Sequence, residues 1–196
     1  MSDTQRYSEG EVWRVATVPG KGLGVEATAD IPQGEAWQLA AAAVTRSCAG
    51  ALILVDTPLF TVPDSAHTED PATLDAELAR RVAALEPAAR DHFYSLADCK
   101  GEVKTARGVY FTNCFTIGTS PRSPTALLPT LARINHSCRP NTEFHWDAAA
   151  GAEQLRAVRD IRRGEELTDC YLDLTLAGRV TREQRRRLLR GGYGFW

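Results

Sequence analysis

The first third of the chain alternates short apolar runs with glycine and proline breaks. The runs between residues 11 and 63 include VWRVATV, VEATADI and ALILVDTPLFTV, and the breaks include PGKGLG and IPQGE. Glycine permits positive φ angles and proline fixes the entry to a turn, so this pattern predicts short strands joined by tight turns. Residues 36–50, which include four consecutive alanines at 40–43, interrupt the rhythm. They are interpreted as a short helix, an irregular surface insertion or a retained in-frame intron.

Between residues 64 and 98 the apolar spacing changes to that of helices. Apolar residues recur every three or four positions in two series: Leu74, Leu78, Val82 and Leu85, then Phe93 and Leu96. Pro87 separates the series, and because proline interrupts a helix, two helices are predicted.

β character returns after Gly108. The strings VYFTNCFTIG, TEFHWD, QLRAVRDI and EELTDCYLDL are predicted as strands. The chain then closes with a short predicted helix from Thr181 to Leu189, in which Thr181 and Gln184 have the spacing of a capping box. The order of elements indicates a mixed α+β fold.

Composition limits the classes of function. The chain has 196 residues, 43% hydrophobic and 24% charged, which is typical of one globular domain. A net charge of -2 gives no general attraction to nucleic acid or anionic membrane. No apolar run is long enough to span a bilayer and the start lacks the order of a signal peptide, so an intracellular location, cytoplasmic or nuclear, is expected.

The five cysteines are an odd number and include no CxxC or CxC pair. Free thiols are therefore expected rather than a disulfide framework, and no structural metal is expected.

Three strings carry distinctive chemistry: GKGLG, which ends at Gly24, RINHSCRPN at 133–141 and RDIRRGEELTDCY at 159–171. Glycines let a backbone approach a ligand closely, although GKGLG alone would more simply be a turn. The amide, imidazole and hydroxyl of NHS suit a hydrogen-bonded polar cluster, which is also compatible with a purely structural role. In this order, and with FTNCFTIG at 111–118, the strings resemble the SET domain of protein lysine methyltransferases over nearly the whole chain. The subfamily that elsewhere carries a MYND zinc finger is the most similar, although the finger is absent here.

The resemblance implies a SET-type β-clip, in which several small curved sheets are joined by a helical insert and followed by a short C-terminal helix. Within a single domain over 1–196, the expected parts are an N-terminal SET part (11–63), the insert (64–107), the C-terminal SET core (108–175) and a shortened post-SET segment (176–196).

The resemblance also implies S-adenosylmethionine as the cofactor and assigns site residues. The expected cofactor-binding residues are Lys21, Gly22, Leu23, Gly24, Arg133, Asn135, His136 and Phe195. The expected acceptor channel is walled by Phe115, Ile117 and Tyr193. Tyr171 is implied to lie beside the transferring methyl group, where its hydroxyl orients the attacking lone pair and its ring stabilises a sulfonium.

The sequence departs from the family pattern at several positions. Most relatives continue into further cysteines, which hold a zinc together with a residue equivalent to Cys138. This sequence stops at Trp196. Either it is cut there or the zinc closure is missing, and without the closure a more open channel is expected. Glu26 and Asp169 stand where the family commonly has apolar residues. Strand alternation would put Leu167, Asp169 and Tyr171 on one face, which makes Asp169 a candidate acid or base, unless a bulge turns it to solvent.

The arginine-rich end of the chain, from Arg179 to Arg190, is interpreted as the solvated face of a helix, or as a surface that attracts an acidic peptide or nucleic acid.

Three hypotheses of function follow. The first is methyl transfer from S-adenosylmethionine to a protein lysine. The second is a small-molecule cyclase or isomerase that uses Tyr171 and Asp169 for proton transfer, and the third is a catalytically silent binding module. The expected partner is accordingly a protein substrate or a small molecule, with no membrane and no nucleic acid.

Overall fold

The computed structural model describes residues 12–33, 50–67, 70–118, 120, 122–172 and 180–195. Nearly all of the interruption at 36–50, including Cys48, lies outside these residues, as does Arg179. The chain divides into two compact units. The first unit comprises Met1–Val55 and Arg133–Tyr171, and the second comprises Asp56–Ala132 and Leu172–Trp196.

Ten strands and five α-helices form within the described residues. The strands are β1 (Trp13–Val18), β2 (Gly22–Ala27), β3 (Leu52–Asp56), β4 (Phe60–Val62), β5 (Cys114–Thr116), β6 (Thr125–Leu127), β7 (Asn135–His136), β8 (Thr142–Asp147), β9 (Ala152–Ala157) and β10 (Glu166–Asp169). The helices are α1 (Asp64–His67), α2 (Pro71–Ala83), α3 (Pro87–Ser95), α4 (Ala106–Asn113) and α5 (Arg182–Tyr193), and a 3₁₀ turn covers Leu131–Arg133. The α+β class with several small sheets is confirmed.

Two sheets build the first unit. One has the order β1-β2-β10-β7, in which β1, β2 and β10 are antiparallel neighbours and β7 runs parallel to β10. The other has the order β3-β9-β8. This topology brings the three distinctive strings of the sequence into one sheet, because GKGLG leads into β2, RINHSCRPN contains β7 and RDIRRGEELTDCY contains β10.

The core of the first unit is formed by alternate residues of these strands. Val15, Val25 and Leu167 are fully buried on the first sheet, and Leu155 and Ala157 on the second. Burial at every second position is what a half-exposed strand produces, because successive side chains point to opposite faces.

The second unit combines the sheet β4-β6-β5 with α1 to α4. Its core contains the apolar face predicted for α2, with Leu74, Leu78 and Val82 buried. Asp70 begins α2 by accepting hydrogen bonds from the amides of Ala72 and Thr73, with Pro71 at the first helical position. Burial raises the pKa of Asp56, which accepts from the Thr130 and Leu131 amides.

The strand predicted over VYFTNCFTIG is wrong for its first half. Residues 106–113 form α4, and only Cys114–Thr116 is a strand. The aromatic and β-branched residues there favour a strand locally. However, Thr105 caps the segment by accepting from the Gly108 amide, and helical geometry buries Val109, Tyr110 and Asn113 together. Tertiary packing therefore outweighs local propensity, and the helical insert extends beyond residue 107.

The capping box predicted for the last helix is confirmed. The Thr181 hydroxyl accepts from the Gln184 amide, and the Gln184 side chain accepts from the Thr181 amide. The helix ends at Tyr193 rather than at Leu189, because Gly194 with φ of 78° forms the left-handed cap. None of the helices in the described segments combines the length and the apolar character required to cross a membrane.

Candidate functional site

The hairpin between β1 and β2 carries the GKGLG string. Gly20 and Gly22 have φ angles of 76° and 80°, which place them in the left-handed region that favours glycine. Between them, the Lys21 amide donates to the Val18 carbonyl over 3.0 Å and closes the turn. The side chain of Lys21 is thereby presented at the tip of the hairpin.

Gly24 lies where two strands and a side chain approach closely. A Cβ atom at this position would lie 2.6 Å from Cγ2 of Val18 and 2.7 Å from Nδ2 of Asn135. Any larger residue would therefore displace the Asn135 amide. Glycine at position 24 is required by the approach of β7 to the hairpin and not by a positive φ angle.

Glu166 connects the hairpin to the NHSC string. Its carboxylate accepts from Nζ of Lys21 over 2.6 Å and from Nδ2 of Asn135 over 2.9 Å. Nδ2 of Asn135 also donates to the Leu23 carbonyl over 3.2 Å. Because both amide donors point at the hairpin and β10, the amide oxygen of Asn135 is the side that remains to accept a hydrogen bond. Lys21, Leu23, Gly24 and Asn135 thus lie close together, and the carboxylate that connects Lys21 to Asn135 is one that sequence reasoning did not single out.

A second residue missed by the sequence analysis is Asn141, the last residue of RINHSCRPN. Its side chain is 1% exposed. It donates to the Glu166 carbonyl over 2.8 Å and accepts from the Thr168 amide over 2.8 Å, so it pairs with β10 as another strand would. Asn141 therefore fixes the position of the strand that supplies Glu166. Its place in the polar string was the available signal.

His136 is held as a neutral imidazole. Its Nδ1 accepts from the Tyr171 amide over 3.0 Å, so the ring proton belongs on Nε2, which contacts the Cys138 sulfur at 3.2 Å. Burial, aided by the charge of Lys21, lowers the pKa of His136 to about 4. The ring therefore remains uncharged near neutral pH.

Tyr171 packs against His136, with 5.4 Å between the ring centroids. Its hydroxyl donates to the Ile134 carbonyl over 2.6 Å. Both ends of Tyr171 therefore contact the RINHSCRPN string, the backbone amide through His136 and the hydroxyl through Ile134. The predicted catalytic tyrosine therefore contacts one predicted cofactor residue, His136, which follows Asn135 on β7.

The predicted alternation of Leu167, Asp169 and Tyr171 along one strand is wrong, because β10 ends at Asp169. The pKa of the Asp169 carboxyl is affected by burial and by a neighbouring carboxylate. Burial raises its pKa to about 7, and the charge of Glu143 adds to this. Glu153, 4% exposed, also has its pKa raised to about 7, by burial and by Asp169. Asp169 is thus only partly exposed, and its electrostatic neighbours are carboxylates from β8 and β9.

Glu26 and Arg133, which the sequence analysis also singled out, belong to the first unit as well. Glu26 forms an ion pair with Arg14 across the β1-β2 pairing, at 2.9 Å and at the surface. The acidic residue at position 26, where the family commonly has an apolar one, is therefore explained by this ion pair between the two strands. Arg133 ends the 3₁₀ turn and is 7% exposed.

The predicted channel residues and Phe195 belong to the second unit. Phe115 lies on β5 opposite Ala126, and Ile117, 6% exposed, donates its amide to the Pro124 carbonyl. Tyr193 and Phe195 stand at the end of α5 with ring centroids 6.0 Å apart. Lys100 fixes this end, because its ammonium group donates to the Gly192 carbonyl and lies 5.6 Å from the Tyr193 ring centroid.

Comparison with known proteins adds an independent observation. A family profile described as SET domain matches residues 22–172. The histone-lysine N-methyltransferase set5 of Schizosaccharomyces pombe is 27% identical over 187 residues, which cover 95% of this chain and 49% of that protein. The histone-lysine N-methyltransferase SMYD3 of Homo sapiens is 42% identical over 85 residues, covering 42% of this chain and 18% of that protein. The chain thus spans about half the length of the first relative and under a fifth of the second.

Proposed function

Because this chain belongs to the SET-domain family, we propose that it transfers a methyl group from S-adenosylmethionine to a lysine side chain of a protein. The observation that carries the proposal is that two sets of contacts meet at β7 in the first unit. Asn135 connects to Lys21 through Glu166, and His136, the next residue, contacts Tyr171. The names of the relatives, which specify histone lysine, support the acceptor class.

The residues of this network suit the methionine part of the donor. Lys21 supplies a cation for a carboxylate, and it is 41% exposed at the tip of the hairpin. The oxygen of Asn135, oriented by the two bonds of its Nδ2, is an acceptor for an ammonium group. The lack of a side chain at Gly24 lets the Asn135 amide approach the hairpin closely. Glu166 must share Lys21 with the carboxylate of the donor.

When bound, the donor supplies an electrophilic methyl group on a positively charged sulfur. The contribution of Tyr171 is placement, since its ring and hydroxyl are held by His136 and Ile134. The neutral state of His136 matters because a second positive charge would oppose binding of a sulfonium. Alignment and exclusion of water, rather than a strong base, are the main requirements of methyl transfer to an amine.

Thermal unfolding with and without S-adenosylmethionine tests donor binding. A ligand at about 100 times its Kd adds about 2.7 kcal/mol of stability, which for a chain of this size raises Tm by roughly 5–10 °C. An unchanged Tm at saturating donor would contradict the proposal.

Transfer itself is tested with a labelled methyl donor and with histones and a cell lysate as acceptors. Tyr171→Phe removes the hydroxyl that contacts Ile134, and we expect a loss of about tenfold or more in kcat/KM with donor affinity retained. Tyr94→Phe, at a tyrosine of α3 that is 41% exposed, is the matched control and should transfer at the normal rate. Equal rates for Tyr171→Phe and the control would refute the role of Tyr171.

One observation favours a second candidate, a small-molecule enzyme that uses Asp169 for proton transfer. Burial raises the pKa of the Asp169 carboxyl to about 7, and a group with this pKa suits general acid or base catalysis near neutral pH. Asp169→Asn separates the two candidates. Methyl transfer should survive the change, whereas proton transfer through Asp169 should be abolished.

A further inference from the structure

The helix α5 carries a concentrated positive charge. Five of its twelve residues are arginines, and Glu183 is its single acidic residue. The whole chain has 23 basic and 25 acidic residues, so 18 basic and 24 acidic residues remain outside α5. The net charge of -2, which argued against nucleic acid as a partner, averages over this asymmetry.

The arginines of α5 include a regular row, formed by Arg182, Arg186 and Arg190. These residues are all exposed and stand four positions apart. In an α-helix such residues share one face, with a separation of about 6 Å along the axis. Arg182 and Arg186 form no ion pair within the described part of the chain, because Glu183, the single carboxylate of the helix, pairs with Arg187.

The remaining contacts hold α5 in place within the second unit. Leu189 is 3% exposed and anchors the helix by its apolar face. The thiol of Cys99 and the ammonium group of Lys100 both donate to the Gly192 carbonyl near the C-terminal end. Arg187 pairs with Glu183, which supports the helix along its own surface. The arginine row is therefore presented on a helix that is anchored by Leu189 and by the contacts to Gly192.

We propose that the arginine row of α5 binds the phosphodiester backbone of a duplex nucleic acid. A guanidinium group presents a planar fork of donors that matches two phosphate oxygens, and α5 uses arginine without any lysine. A duplex carries one negative charge per about 1.7 Å of its axis, so each arginine of a straight row meets a phosphate without strict register. A flexible acidic peptide would have to be ordered along the row at an entropic cost, which makes it the less favoured partner.

The test is fluorescence anisotropy of a short labelled DNA duplex over a series of salt concentrations. Three phosphate contacts predict a slope of log K against log salt of about -2.7, which weakens binding by about 40-fold between about 50 and 200 mM salt. The double variant Arg182→Gln with Arg186→Gln should reduce the slope to about -0.9 and the weakening to about 3-fold. Circular dichroism checks that the helix is retained.

Arg80→Gln is the matched control, because Arg80 is an exposed arginine of α2 that pairs with Glu77. It should leave the slope unchanged. The proposal is overturned if the wild-type chain does not bind the duplex at low salt, or if the double variant keeps the wild-type slope. It is also overturned if a polyglutamate peptide displaces the duplex at equal charge concentration. Binding is read without methyl donor, so this result is independent of the proposed transfer activity.

Discussion

Replacing Gly24 with alanine tests how the hairpin, β7 and β10 fit together. The added Cβ would lie 2.6 Å from Cγ2 of Val18, 2.7 Å from Nδ2 of Asn135 and 3.1 Å from Oε1 of Glu166. Relief of such overpacking costs about 1–3 kcal/mol. A shift of the Asn135 amide would also weaken its bonds to Leu23 and Glu166, by about 1 kcal/mol each.

We therefore expect Gly24→Ala to lower the free energy of unfolding by about 3–5 kcal/mol, with a fall in Tm of roughly 6–20 °C. The affinity for S-adenosylmethionine should fall with it, because the displaced atoms belong to the proposed donor site. Urea unfolding measures the first effect and isothermal titration calorimetry the second.

Gly191→Ala is the control for this change. A Cβ atom on Gly191 would meet nothing within 4 Å, and alanine is favoured in a helix by up to about 1 kcal/mol. Its stability and donor affinity should be unchanged or slightly improved. If Gly24→Ala behaved like Gly191→Ala in both measurements, the close approach at Gly24 and its role in the site would be refuted.

Two further predictions concern the acidic residues of β10. Glu166→Gln should raise the Kd for the donor about 5- to 10-fold by calorimetry, because Lys21 and Asn135 lose their shared ionic anchor. Glu26→Gln, which instead affects the surface ion pair with Arg14, should leave that Kd unchanged; equal effects would contradict the assignment. The pKa of Asp169 is raised in the folded state, so its ionisation destabilises the fold as pH rises from about 4 through 7. The free energy of unfolding of Asp169→Asn minus that of the wild type should therefore increase from pH 5 to pH 8, by at most about 1.4 kcal/mol per pH unit. Thermal unfolding follows this as a growing difference in Tm, and a difference that stays constant with pH would refute the burial of this charge.

Local patterns in the sequence were sufficient for elements whose stability is local. The β1-β2 hairpin follows from alternating residues around Gly20 and Gly22, and α2 follows from the spacing of its buried leucines. Capping of α5 was predictable because Thr181 and Gln184 are only three residues apart. In each case the contacts that determine the element are made between residues close together in the sequence.

The sequence could not predict α4 or the partners of the site residues, because both depend on distant contacts. The VYFTN segment becomes helical in the packed second unit, against its strand propensity. Glu166 joins Lys21 across 145 residues, and Asn135 joins Leu23 across 112. Resemblance to the family identified the strings. The structure identified Glu166 and Asn141, whose side chains connect these strings.

Hydrogen exchange of the backbone amides, with and without S-adenosylmethionine, tests the central claim most directly. If the hairpin and the NHSC segment form one donor site, saturating donor should slow exchange in peptides that cover residues 20–24 and 134–137 together. Exchange that slows in only one of these segments, or in neither, would contradict the account.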